Sequence, residues 1–197
     1  MKSIDDFSFV AEAGLNEIYE ALIPAMRYYE TDSKQSCINF RSVLALTVTR
    51  AEKYSNIKPA RQLEKRIDFL CSFLKKRTLM DDSMEKEFKV VKRIGDKYHH
   101  PEDYPNLEPY KDRYTFYCAF QEILRWIISL PGRIEAYVAR RRAEKAKLEE
   151  QRAEQERLEE IEKLEREEKL AAIAPWLIGG GILAVIGGLI YIIASGK

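Results

Sequence analysis

Apolar residues recur every three to four positions through most of this chain, and the pattern predicts helices. Over Ile4–Tyr29 the apolar positions are Phe9, Ala13, Ile18, Leu22 and Met26, with Pro24 placed to kink or split the helix. A second helix is predicted over Ser33–Tyr54, where Cys37, Phe40, Leu44, Val48 and Ala51 repeat and Ser33 is the expected N-cap. A third runs from Pro59 to Lys76, striped by Leu63, Ile67, Leu70 and Leu74. A fourth runs from Asp82 to Tyr98, with Met84, Phe88, Val91 and Ile94 on one face. Residues 99–110 hold three prolines and are expected to form a loop.

The fifth helix is expected from Lys111 to Leu130. Its apolar residues Phe116, Tyr117, Phe120, Ile123, Leu124, Trp126, Ile127, Ile128 and Leu130 point almost all round it. Such a helix is either central to a bundle or shared with a partner subunit. Phe120, Trp126 and Ile127 are the dimer-interface candidates. No stretch reads as a strand with turn chemistry, so the expected class is all-α, with residues 1–130 as a helical head.

Pro131-Gly132 is expected to end that head. Residues 133–170 then lack glycine and proline and consist mainly of Glu, Lys, Arg, Ala and Leu, all good helix formers. Glu159–Lys163, Glu162–Arg166 and Glu165–Lys169 stand at i,i+4 in the favoured order. A seam through Ile134 and Val138 would next place Arg141, Lys145, Leu148 and Arg152 inside a coiled coil, which breaks the apolar rule. A single charged helix and a weak coiled coil both remain open for this stalk, residues 131–170.

From Ala171 to Ala194 there are 24 residues without a charge. About 20 apolar residues span a bilayer core of roughly 30 Å. The segment therefore reads as one transmembrane helix, a tail anchor followed by the short tail 195–197. No ionisable residue lies inside it, which argues against a transporter or proton path. Gly180, Ala184 and Gly188 recur every four residues and suit close helix–helix packing, hence a homo-oligomer. Lys163, Arg166 and Lys169 precede the span and Lys197 follows it, so the head is expected in the cytoplasm.

A net charge of +1 gives no overall field for nucleic acid. The N-terminus lacks the basic start and apolar core of a signal peptide. Cys37, Cys71 and Cys118 are odd in number, widely spaced and set in apolar patterns. They read as buried free thiols in a reducing compartment, with no metal and no cofactor expected.

The two histidines, His99 and His100, are adjacent. On a helix, Arg93 lies one turn from Asp96, and Asp96 one turn from His99 and His100. A cation, a carboxylate and an imidazole on one face suit phosphodiester binding and proton transfer. The alternative is a helix C-terminus where histidine favours the dipole and Pro101 closes the helix.

The segments FRSVLALTVTRAEKY (40–54), QLEKRIDFL (62–70) and EFKVVKRIGDKYHHP (87–101) resemble the HEPN-like superfamily. The nearest branch is the helical domains found beside bacterial restriction and defence genes. The resemblance covers about residues 10–130, with Asp96 where that branch usually has asparagine. Many HEPN proteins are ribonucleases with Arg and His separated by four to six residues, working at a dimer interface. Arg93 to His99 leaves five residues and Arg93 to His100 six, although Ile94 stands where ribonuclease members carry a polar residue.

The resemblance and the anchor together imply a helical sensor or interaction protein at the bacterial inner membrane, an antiviral-defence or toxin-type effector. Its partners would be the bilayer, further copies of itself and a cytosolic defence-system protein. One alternative is a membrane-tethered, metal-independent ribonuclease acting on RNA through Arg93, Asp96, His99 and His100. The other is a structural scaffold.

Overall fold

A computed structural model describes the backbone of residues 2–195 and the side chains of residues 2–169. The expected transmembrane segment 171–194, with Gly180, Ala184 and Gly188, lies outside the described side chains. Among the described residues no helix is long and apolar enough to cross a membrane.

The described chain is all-α. After a short 3-10 turn at Ile4–Phe7 come α1 (Ser8–Glu12), α2 (Asn16–Arg27), α3 (Ser33–Tyr54), α4 (Leu63–Lys75), α5 (Asp82–His99) and α6 (Pro109–Ser195). It divides into two compact units after Arg140.

The helix expected over Ile4–Tyr29 is split at Gly14, not at Pro24. Gly14 has φ +75°, in the left-handed region that glycine enters without steric cost. The Gly14 and Leu15 amides then close on the carbonyls of Ala11 and Val10. The α2 helix runs on through Pro24. The N–H that Pro24 lacks would have met Glu20, which is exposed, so water can serve that carbonyl.

The α3 helix has the predicted bounds, but its N-cap is Asp32, whose carboxylate accepts the Gln35 N–H at 2.9 Å. The α4 helix starts at Leu63 instead of Pro59. Lys58–Gln62 are exposed and have nothing apolar to dock.

The core lies among α2, α3, α4, α5 and the first part of α6. In the first unit α3 packs against α2, α4 and α5, and Phe40 of α3 stacks on Phe116 and Phe120 of α6 at 5.6 and 5.5 Å. Trp126 meets Phe88 of α5 edge-on at 5.8 Å. Phe120 and Ile127 are wholly buried and Trp126 is 5% exposed. This corrects the expectation that these three form a dimer face: α6 is central, and they face its own chain.

Pro131-Gly132 does not end the helix. An internal proline costs a helix about 3 kcal/mol in isolation. Beyond it, Ile134 and Tyr137 still pack on the core, and only continued helical spacing keeps them there.

Residues 141–169 are the part of the second unit whose side chains are described, and every one is exposed. Glu162 and Arg166 pair at 2.7 Å, and Glu165 and Lys169 at 3.7 Å.

Candidate functional site

The three segments that carry the sequence resemblance meet in space, through Arg41, Glu64 and Gly95 together with Asp96, the one candidate residue among them. Arg41 of α3 crosses to α4, where its Nη2 donates to Glu64 Oε1 at 2.8 Å. Its aliphatic stem lies over Gly95 of α5. A Cβ at position 95 would stand 3.3 Å from Arg41 Cγ, so glycine there makes room for the arginine. Glu64 in turn shares a hydrogen bond with Asp96.

Two carboxyls can share a hydrogen bond only if one keeps its proton. Burial, then the nearby Glu64, raises the pKa of Asp96. Burial also works to raise Glu64. Its own backbone N–H and the Arg41 guanidinium outweigh that and hold it below its ordinary value. The arrangement is thus a charged glutamate beside an aspartic acid that keeps its proton more readily than usual.

The neighbouring ion pairs are tight. Arg66 holds Glu52 through Nε and Nη2, the shortest contact 2.6 Å, and donates to Thr49 Oγ1 at 2.7 Å. Lys92 meets Asp68 at 2.7 Å. These contacts tie α4 to α3 and to α5.

The cation–carboxylate–imidazole group expected from Arg93, Asp96, His99 and His100 is only partly assembled. Arg93, His99 and His100 are exposed. His99 is the last residue of α5 and His100 its C-cap. Their rings meet edge-to-face at 4.4 Å, with Nδ1 of His99 2.8 Å from Nε2 of His100. His100 also stands 3.5 Å from Glu102. Asp96 turns away from this group toward Glu64, because the half-buried interior face of α5 offers it a hydrogen-bond partner. Ligand-capable atoms of His100, Glu102 and Asp103 lie within 4.8 Å of one another. All three residues are exposed.

A second polar group sits at the start of α6. Asp112 is buried, accepts the Tyr98 hydroxyl at 3.0 Å and faces Lys97 at 3.3 Å. Cys37 lies alongside and points its thiol at the Pro109 carbonyl, 3.8 Å away. Burial pushes the Cys37 thiol up to about 12. Next to Asp112, Arg113 is also buried. Sequence reasoning missed both residues, because a charged pair in a first helical turn reads as an exposed start. The available signal was their place just before the buried run that begins at Phe116.

Cys37 and Cys71 are buried as expected, whereas Cys118 is exposed. Positions 116, 117, 119 and 120 turn inward and leave 118 on the outer side of α6.

No family model, curated protein or solved structure matches this chain.

Proposed function

We propose that this chain is a membrane-tethered helical sensor or interaction protein. In this reading residues 171–194 hold the head at a bacterial inner membrane and, through Gly180, Ala184 and Gly188, bring copies together. The HEPN-like resemblance points its biology toward antiviral defence or a toxin-type response. The observation that carries the proposal is the uncharged run of 24 residues, directly after a charged helix whose described side chains are all exposed. An all-exposed charged helix suits a spacer, and a run of that length suits a span. The buried positions of Phe120, Trp126 and Ile127 leave pairing to surfaces other than theirs.

Fractionation tests the tether. The full chain should stay with membranes through an alkaline wash, and Leu183→Lys/Ile186→Lys should release it. Wild-type protein wholly in the soluble fraction would end the proposal.

A second reading is a ribonuclease. It is favoured by the exposure of Arg93, His99 and His100 over the last two turns of α5, where an RNA backbone can reach them. Arg93 would stabilise charge developing on phosphate, and a histidine would move the proton. In that reading the full chain in mild detergent cleaves RNA, and His99→Ala/His100→Ala does not. An inactive wild-type protein over a panel of structured and single-stranded RNAs would remove it.

A further inference from the structure

We infer that the hollow bounded by Lys2, Tyr29, Glu30, Tyr110, Arg113 and Tyr114 is a binding site for a phosphate ester that carries a planar ring. The hollow encloses about 220 Å³. It lies within the first unit, where the N-terminal residues, the turn after α2 and the first turns of α6 meet.

Arg113 is the decisive residue. Its side chain is only 4% exposed. The guanidinium lies between two aromatic rings, 4.5 Å from the centroid of Tyr29 and 4.4 Å from that of Tyr110. Its one hydrogen bond, from Nη2 to Glu30 Oε2, is 3.4 Å long. Charge-assisted bonds of this kind normally measure about 2.7–2.9 Å. Nε and Nη1 have no acceptor among the described residues.

Two other partly buried arginines are better served. Arg66 makes its contacts to Glu52 and Thr49 at 2.6–3.2 Å, and Arg41 reaches Glu64 at 2.8 Å. A buried cation with idle donors is unfavourable, and native proteins rarely leave one so. Nε and Nη1 of Arg113 are covered, so an oxoanion supplies the missing acceptors once the Tyr110 ring moves off the guanidinium.

The rest of the lining selects the anion. Lys2 lies 4.3 Å from the ring centroid of Tyr117 and 5.9 Å from that of Tyr114, and brings a second cation to the mouth of the hollow, where Glu30 and, beside Lys2, Asp6 are the carboxylates. The idle donors of Arg113 suit the several oxygens of a phosphate. Burial holds the Tyr29 hydroxyl protonated, with its pKa pushed up to about 12, so it remains a donor at neutral pH.

Tyr110 and Tyr114 stand one turn apart at the mouth. Tyr110 is 75% exposed and Tyr114 55%. Exposed rings beside a phosphate-seeking cation stack well on a planar group. Tyr110 covers one face of the guanidinium and, being mostly in solvent, can turn aside to admit the ligand.

The test is calorimetry on the full chain in mild detergent, with phenyl phosphate, inorganic phosphate and benzoate as probes. Phenyl phosphate should bind once per chain, at least tenfold tighter than either of the others. Tyr110→Ala should reduce its affinity to that of inorganic phosphate, and Lys2→Ala should weaken it severalfold. Arg113→Lys should weaken all oxoanion binding at least tenfold, with circular dichroism confirming the fold. Lys2 and Tyr110 are exposed, so their variants decide the matter even if Arg113→Lys unfolds. No saturable binding at millimolar phenyl phosphate would overturn the inference. So would equal affinity for inorganic phosphate, tighter binding of benzoate, or unchanged affinity in Lys2→Ala and Tyr110→Ala.

Discussion

Two stretches of α6 are held helical by different forces. From Phe116 to Leu130 most of the helix is buried, with Phe, Tyr, Ile, Leu and Trp facing neighbours and only the stripe of Cys118, Glu122, Arg125 and Ser129 exposed. From Arg141 to Lys169 every residue is exposed, and the helix keeps its form by propensity and by pairs such as Glu162–Arg166. Tertiary packing tolerates a helix breaker in the first regime: Pro131 passes through because Leu130, Ile134 and Tyr137 are anchored on the core. The second regime has no such reserve and avoids proline and glycine altogether.

The largest expected effect comes from cutting one side chain in each stretch. Phe120→Ala should destabilise the head by about 3–5 kcal/mol, as for other large core truncations, and lower its melting temperature by roughly 10 °C or more. Leu158→Ala, on an exposed position, should leave that transition within about 0.5 kcal/mol of wild type. Thermal unfolding followed by circular dichroism checks both. Similar losses in the two variants would break the comparison.

Ion pairs sharpen it. Arg66 is 16% exposed and Glu52 4%, so Arg66→Ala strands a buried carboxylate and should cost about 2–4 kcal/mol. Arg166→Ala removes a pair of similar length between two exposed side chains and should cost about 0.5 kcal/mol or less. Urea unfolding of the two variants measures the difference. A cost below 1 kcal/mol for Arg66→Ala would show that burial does not distinguish them.

What could be read from the sequence follows the same division. The α3 helix was legible end to end because Cys37, Phe40, Leu44, Val48 and Ala51 hold one period and Tyr54 precedes a turn. The split at Gly14 was missed because the apolar spacing runs across it, and only the positive φ reveals the turn. Continuation through Pro131-Gly132 was hidden because it depends on long-range packing that overrides local propensity. Phe120, Trp126 and Ile127 looked like surplus surface because one helix's pattern cannot show how many neighbours surround it. At the candidate site, Arg93, His99 and His100 were legible as neighbours along one helix. The Arg41–Glu64–Asp96 group was not, since its members come from three helices and no local spacing links them.

That group provides a smaller, pH-dependent effect. The folded state holds a proton on Asp96 above its ordinary value of 3.8, where the unfolded chain has released it. Stability tied to Asp96 therefore falls as pH rises through its raised folded value. Glu64 works the other way: what it adds is present above 4.5 and is lost as pH falls through its lowered folded value. Asp96→Asn leaves an amide that donates to Glu64 at any pH. It should raise the melting temperature by a few degrees near neutral pH, and the gain should vanish at acid pH, where Asp96 is protonated in both states. An equal gain at all pH values would mean that the carboxyl pair does not titrate this way.

The smallest effect separates two sides of α6 within the head. Cys118 faces solvent on a helix whose neighbouring positions 116, 117, 119 and 120 are buried. Cys37 and Cys71 are enclosed, and burial pushes each thiol up to about 12. Only the thiolate attacks an alkylating reagent at a useful rate, so burial holds Cys37 and Cys71 back by access and by their raised pKa values, while Cys118 is open to the reagent. Iodoacetamide on the native protein should add one group rapidly, at Cys118 by peptide mapping. Cys37 and Cys71 should react only on the timescale of unfolding. Cys118→Ser should abolish the rapid addition and shift stability by no more than about 0.5 kcal/mol, as for other exposed positions. Rapid labelling of Cys71 in the native state would show that α4 opens locally. The head would then no longer be uniformly held by packing, and the boundary between the two regimes would have to be drawn inside it.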